Sequence, residues 1–464
     1  MKRSTYDLIV IGGGAAGLVS AKMAAGLSKT VAIVETDRLG GSCTWSGCVP
    51  SKTLIHLAAL ATKKNFDSSA IMEHVRSTRA RIAKETTAES LSALGIDTFF
   101  GNVSFIDTYT LNVNDTTITF KKCILATGSR SFVPTIDGLA DSNYVTNETI
   151  FELNHLPSDM VILGGGPIGV EMACALNTLG VKITIVESNV QILSHEDAEM
   201  SALLAQHMIT QGITIKTSTQ LTRITIDHNG MKLQCTQPDG TIENLTASIL
   251  LVAAGRKPNI ENLGLEAIGL KTTSKGIQVN SKLQTSVSNI YACGDVVGPY
   301  QFSHMAFYQA VIATRNACIP VFKKHVNYSK KIWVTFANPE LAQLGLTEQE
   351  ARTIHGNSIE IFRVPYGSID RSVIDDATFG LCKIICNAKG YIIGASILGA
   401  RAGELIHELQ LGAHYNIRLR DFYHVIHAYP TYSELLWRGS RMAYLKHLKQ
   451  NFFIKIISWF KSKR

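Results

Sequence analysis

The sequence predicts an α/β fold: two Rossmann-like dinucleotide-binding domains followed by a C-terminal α+β domain. A strand, a glycine turn and a helix occur together twice, at Gly12, Gly14 and Gly17 and again at Gly164, Gly166 and Gly169. In each copy a strand-terminal glutamate, Glu35 or Glu187, lies 23 positions after the first glycine. From about residue 326 strands and helices alternate without such a fingerprint.

Residues 6–17, YDLIVIGGGAAG, read as a strand, a glycine turn and a helix from Leu18 to about Leu27. The first glycine permits the tight turn, the second lets a pyrophosphate approach the backbone, and the third lets helix pack on strand. The helix N-terminus then offers free N–H groups to phosphate. The strand TVAIVE ends on Glu35, placed to accept hydrogen bonds from a ribose. The copy in DMVILGGGPIGVEMA and KITIVE is offset by 152 residues. Two dinucleotide sites in one chain imply electrons passing between two dinucleotides.

Between the copies, residues 53–90 read as helical, and TFFGNVSFI, TLNV, TITF and KCILATGS as short strands. SILLVAAGRKPN closes the second unit, and GIQVNSKLQTSVSNIYACGDVVG delivers Asp295 to a glycine-flanked turn before a helix from Ser303 to Cys318. Beyond it WVTFANPELAQLGLTEQEA, FRVPYG, LCKIICN and YIIGASILG supply strands, with helices expected at Ala402–Ala413 and Leu419–Ile426. The expected domains are 1–145 with 268–325, 146–267 and 326–441, then a basic amphipathic tail, 442–464.

The 464 residues are 45% apolar and 18% charged, which suits packed globular domains. No apolar run reaches the ~18–20 residues that cross a bilayer. The start, MKRSTYDLIVIGGG, places basic residues before an apolar run, but the run is short and ends in glycines without a cleavage pattern; it reads as a buried strand. The net charge of +8 sits entirely in residues 438–464, which hold eight basic residues and no acid, so nothing suggests a nucleic-acid-binding body. Nine cysteines, mostly single in apolar surroundings, point to a reducing, cytoplasmic compartment. Cys382 and Cys386 read as core or edge positions of an alternating strand and not as a second redox pair.

GGSCTWSGCVPSK, Gly40 to Lys52, departs from that pattern. Cys43 and Cys48, with four residues between them, can form and break a small-ring disulfide with little backbone movement. Beside a nucleotide-binding unit, such a pair suggests electron traffic. With C-x4-C-V-P-S-K, ILATGS, both glycine fingerprints, AAGRKPN, YACGD, NPELAQLGLTEQEA and YPTYSE in order, the chain resembles the flavoprotein disulfide reductases from about residue 5 to about 440. This class I pyridine nucleotide-disulfide oxidoreductase family includes dihydrolipoamide dehydrogenase, glutathione reductase and mercuric reductase.

The resemblance implies FAD on the first fingerprint, a nicotinamide nucleotide on the second, and a homodimer held by the C-terminal domain. It assigns Gly12, Gly14, Gly17, Glu35, Thr127, Gly128, Gly255, Asp295 and Ala306 to cofactor binding, with Gly164, Gly166, Gly169 and Glu187 on the nicotinamide side. Lys52 and Glu171 match an ion pair beside the flavin, where an ammonium favours the anionic reduced ring. The helix beginning near His304 adds its positive dipole end. Glu187 suits the 2′,3′-diol of NADH and repels a 2′-phosphate, and ESNVQIL holds no arginine, so NADH is expected. In the implied cycle hydride passes from NADH to flavin and an electron pair to the disulfide. Cys48 becomes the flavin-facing thiolate, and Cys43 attacks the acceptor.

One position departs from the family's thiol reductases, which place histidine before Pro-Thr and glutamate five residues later. Here HAYPTYSE keeps Glu434 but has Tyr429 at the histidine position. Histidine, with pKa ~6.5, takes and gives protons at neutral pH, whereas tyrosine, at ~10, mainly donates. His427 either substitutes or is structural. Tyrosine here is similar to mercuric reductase, although no cysteine follows Cys386. Trp45, where relatives commonly have asparagine, either narrows the approach to the disulfide or packs in the core. The expected acceptor is a disulfide, a metal ion or another small molecule, as in a mercuric-reductase-like branch, with lipoamide or glutathione disulfide as alternatives.

In the tail Leu445, Leu448, Phe452, Ile456 and Trp459 recur every three or four residues among lysines. That pattern suits the inner face of an anionic membrane, with a quinone or protein acceptor, or a helix packed in the dimer.

Overall fold

The computed structural model describes residues 3–61, 67–227 and 230–450. The chain forms two compact units, one from Met1–Pro157 and Ser248–Val326, the other from Ser158–Ala247 and Asn327–Arg464.

The first unit is built on a seven-stranded sheet. Thr5–Ile11 lies between Val31–Glu35 and Thr116–Leu125, parallel to both, and its apolar residues are buried as a central parallel strand requires. Ile96–Phe100 extends the sheet beyond Val31–Glu35, and Ile290–Ala292 pairs with Thr116–Leu125. TITF and KCIL, expected as separate strands, form one continuous strand whose start pairs antiparallel with Thr110–Val113. The first helix spans Ala15–Gly26, beginning three residues before the expected Leu18, because helical backbone starts directly after Gly14. It packs against helix Ser303–Cys318, which has its expected bounds.

The stretch expected as helix from residue 53 is instead helical from Cys48 to Leu60, then from Ser68 to Ala83 and from Ala88 to Ser92. Cys48 therefore opens a helix. Pro50 sits in its first turn, where a missing N–H costs no intrahelical bond.

In the second unit Asp159–Leu163, Lys182–Val186 and Thr214–Lys216 run parallel, with helix Pro167–Thr178 following the second glycine turn. The C-terminal region forms a five-stranded antiparallel sheet ordered Ile332–Thr335, Glu340–Gly345, Ile392–Gly399, Leu381–Asn387, Ile359–Pro365. Its core includes Cys382, Cys386 and residues of helix Ala402–His414. Lys383 on the same strand is only 1% exposed, and its ammonium contacts Asp197 at 2.7 Å, Glu199 at 2.6 Å and Glu348 at 2.9 Å. Such burial is tolerated because the charge is surrounded by carboxylates.

Leu419–His424 is a 3-10 turn, not the α-helix expected to Ile426, and it leaves Ile426 97% exposed. Helix Glu434–Gln450 buries Leu435 and Leu436, so the start of the expected tail continues a packed helix. Lys446 pairs with Glu360 at 3.0 Å. Phe452, Ile456 and Trp459 lie outside the described residues. Among the described residues no helix is long and apolar enough to cross a membrane.

Candidate active site

The first glycine turn and the cysteine turn are one construction. A Cβ on Gly17 would lie 1.8 Å from the Gly12 carbonyl oxygen, so helix and strand approach this closely only with glycine there. Gly41, at φ +61°, would bring a Cβ to 2.5 Å from the Gly14 Cα. Gly40 N–H donates to Gly13 O at 2.9 Å, tying the cysteine segment to the nucleotide turn. Gly13 N–H donates to Glu35 Oε2 at 2.6 Å, which fixes the carboxylate at the strand end. Helix Ala15–Gly26 has no side-chain cap, so its first N–H groups are available to a phosphate. These residues fit the adenosine and pyrophosphate of FAD.

Cys43 lies in the helical turn Gly41–Trp45, and both it and Cys48 are unbridged thiols. A hydrogen bond with Cys48, followed by burial, pushes the Cys43 thiol well above its ordinary pKa, whereas a hydrogen bond from Ser303 opposes the rise. The pair therefore resists holding two negative charges at once. Lys52 lies one helical turn beyond Cys48. Ser303 Oγ stands 3.3 Å from Cys48 Sγ.

The turn is clamped from outside. Trp45 is half-buried, its indole N–H donates to Leu39 O at 2.8 Å, and the Arg38 guanidinium lies 4.3 Å above its ring. Arg79, 8% exposed, donates to Trp45 O at 3.1 Å and pairs with Glu152 at 2.6 Å. Asn147 Nδ2 donates to Ser46 O at 3.3 Å.

Thr127 Oγ1 donates to Asn259 O at 2.7 Å, and Asn259 N–H donates to Gly128 O at 3.0 Å, so AAGRKPN braces ILATGS. Gly255 has open space around a built Cβ. Asp295 Oδ2 accepts from Ser129 at 2.6 Å and lies 3.4 Å from Arg256. Ala306 is buried beside Gly294, whose N–H donates to Gln309 Oε1 at 2.7 Å. Ser129, Arg256, Asn259, Arg79 and Ser303 were not singled out from sequence. The signals were in ILATGS, which contains Ser129, and AAGRKPN, which contains Arg256 and Asn259.

The second glycine turn repeats the first. Gly165 N–H donates to Glu187 Oε2 at 2.6 Å, and a Cβ on Gly169 would lie 2.0 Å from Gly164 O. Glu187 Oε1 accepts from Asn189 N and Nδ2, both at 2.7 Å. Helix Pro167–Thr178 is also uncapped by a side chain, and a Cβ on Gly166 meets nothing within 4 Å. Glu171 is buried, and its Oε1 accepts from Phe336 N at 2.9 Å.

Near the C-terminus each candidate proton carrier is engaged. Tyr429 is 70% exposed, and its hydroxyl donates to Asp370 Oδ2 at 2.5 Å. That bond and the Asp370 charge hold the phenol above its ordinary pKa. His427 Nε2 lies 2.9 Å from Glu408 Oε1, and Nδ1 is 2.9 Å from Val425 O. His427 and Tyr429 thus hold different partners. Glu434 is held by Arg438 at 2.7 Å.

Two dinucleotide turns, with a dithiol built onto the first, define a flavin- and pyridine-nucleotide-dependent disulfide oxidoreductase. Residues 6–313 match the pyridine nucleotide-disulphide oxidoreductase family and residues 332–438 its dimerisation domain, and the chain belongs to that family. It is 32% identical to a mercuric reductase of Staphylococcus aureus over 445 residues, covering 92% of this chain and 81% of the relative. It is 33% identical to a dihydrolipoyl dehydrogenase of Corynebacterium glutamicum over 455 residues, covering 92% and 96%. The solved structure of the HOCl-induced flavoprotein disulfide reductase RclA from Escherichia coli aligns with a TM-score of 0.87 at 28% identity, over 94% of this chain and 100% of that one. A Cu(II) complex of RclA aligns with a TM-score of 0.87 at 27% identity, over 95% and 100%.

Proposed function

We propose that the Cys43–Cys48 dithiol delivers electrons from NADH to a soft metal ion, Hg²⁺ or Cu²⁺, in preference to an organic disulfide. The observation that carries this reading is the Tyr429–Asp370 hydrogen bond. Reducing a disulfide releases a thiolate that must gain a proton, and general acid–base help there is typically worth ~10²–10⁴-fold. A phenol bound to a carboxylate gives up its proton even less readily than free tyrosine. His427 and Glu434 are each held by another side chain. Metal-ion reduction needs no proton on a leaving group. NADH and Hg²⁺ yield NAD⁺, H⁺ and Hg⁰, and NADH with two Cu²⁺ yields NAD⁺, H⁺ and two Cu⁺. The likeness to mercuric reductases and to a reductase solved with Cu(II) supports the same choice.

Bound FAD supplies two-electron transfer between pyridine nucleotide and the dithiol. Cys48 would be the thiol toward bound FAD, Cys43 would meet the acceptor, and the Lys52 ammonium would favour the anionic reduced ring. Glu187 selects NADH by receiving the ribose diol. Two copies pair through residues 332–438, covering exposed Val425, Ile426 and Tyr429. Cys43→Ser and Cys48→Ser test the electron path: each should lower NADH-dependent Hg²⁺ and Cu²⁺ reduction at least a hundredfold. Unchanged metal turnover in both would defeat the reading.

A further inference from the structure

We propose that Ser303 is a catalytic residue, its hydroxyl being the donor that steadies negative charge on the Cys43–Cys48 pair as electrons leave it. The hydroxyl stands 3.3 Å from Cys48 Sγ, within hydrogen-bond range for sulfur. The same hydroxyl pulls the acidity of Cys43 back toward normal, against the rise caused by Cys48 and burial. It can accept from a neutral Cys48 thiol and donate to its thiolate.

The hydroxyl is held on a fixed support. Ser303 begins the sixteen-residue helix Ser303–Cys318, whose Gln309 and Asn316 are fully buried and hydrogen-bonded. A donor on such an element needs little reorganisation when charge develops beside it. With tyrosine at position 429, no imidazole is supplied there to balance the thiolate. The proposal rests on the Cys43–Cys48 dithiol cycle proposed above and is independent of the acceptor.

The test compares wild type with Ser303→Ala, Ser303→Gly and Ser303→Thr as FAD-loaded holoenzymes. In dithiothreitol-reduced protein, iodoacetamide labelling of Cys43 and Cys48 at neutral pH is followed by mass spectrometry. If the hydroxyl accounts for about a tenfold gain in thiolate, S303A and S303G should label about threefold more slowly, because a more basic thiolate recovers about half the loss on a logarithmic scale. The long-wavelength thiolate–flavin absorbance after one equivalent of NADH should fall below half of wild type in both. S303T, which retains the hydroxyl, should stay within about twofold on labelling. Wild-type labelling in S303A and S303G would overturn the proposal. So would a loss in S303T equal to theirs, since packing would then be the cause.

Discussion

Tyr429 Oη donates to Asp370 Oδ2 at 2.5 Å, and this bond occupies the phenol of the Tyr-Pro-Thr segment. The Asp370 carboxylate, through that bond and its charge, holds the phenol's proton more tightly than in free tyrosine. Tyr429→His should restore a group that exchanges protons near neutral pH. Turnover of lipoamide or glutathione disulfide is expected to rise ~10–100-fold, with metal-ion turnover within about threefold of wild type. Tyr429→Phe should change neither greatly. Steady-state assays of both variants check this, and no gain in Y429H would show that the missing proton carrier is not the obstacle.

Glu196 sets a pH dependence of stability. It is 6% exposed, its Oε1 accepts from the Trp333 indole, and its Oε2 has no partner among the described residues. Burial pushes its pKa from 4.5 to about 8. The folded form therefore keeps a proton that the unfolded chain releases, and stability falls as pH rises from 4.5 to about 8. The loss is of order a few kcal/mol, and it levels off above that window. Glu196→Gln should flatten this slope and be the more stable form at pH 8.5. Urea unfolding at pH 5, 7 and 8.5 measures it.

What could be read from sequence follows from physical constraint. Gly17 and Gly169 announce themselves because their built Cβ atoms would lie 1.8 and 2.0 Å from a carbonyl oxygen. Cys43 and Cys48 stand out because they lie in a Gly-, Ser- and Pro-containing segment directly after the first nucleotide-binding unit, whereas Cys382 and Cys386 lie in an alternating strand. Ser303 does not, since it meets Cys48 across 255 positions and serine is common. Arg79 is equally silent, being one arginine on a helix until folding brings it to Trp45. Gly47 and Pro50 made helix Cys48–Leu60 resemble a loop at its start, although Pro is compatible with a first turn. The burial of Lys383 in LCKIICN is not legible, because its three carboxylates come from distant segments.

Arg79 and Trp45 form the clamp on the cysteine turn. Arg79→Ala leaves Trp45 O without this donor and Glu152 without its 2.6 Å partner. A loss of ~1–3 kcal/mol is expected, with slower reoxidation of the dithiol as the turn loosens. Arg79→Lys should recover little, because one ammonium cannot reproduce the planar fork. Thermal melts paired with rapid-mixing reoxidation separate the two effects.

Glu187 is expected to govern nucleotide choice. Its carboxylate is fixed by Gly165 and Asn189 at the end of strand Lys182–Val186. Glu187→Ala should reduce the NADH-to-NADPH ratio of kcat/KM about tenfold or more, chiefly through a higher KM for NADH. An unchanged ratio would place selection elsewhere.

The most direct measurement is anaerobic turnover of wild-type holoenzyme with NADH against four acceptors: Hg²⁺, Cu²⁺, lipoamide and glutathione disulfide. A metal-directed dithiol without a proton carrier at position 429 should reduce at least one metal ion at least ~100-fold faster than either disulfide. Efficient lipoamide or glutathione disulfide reduction, with slower metal turnover, would contradict it.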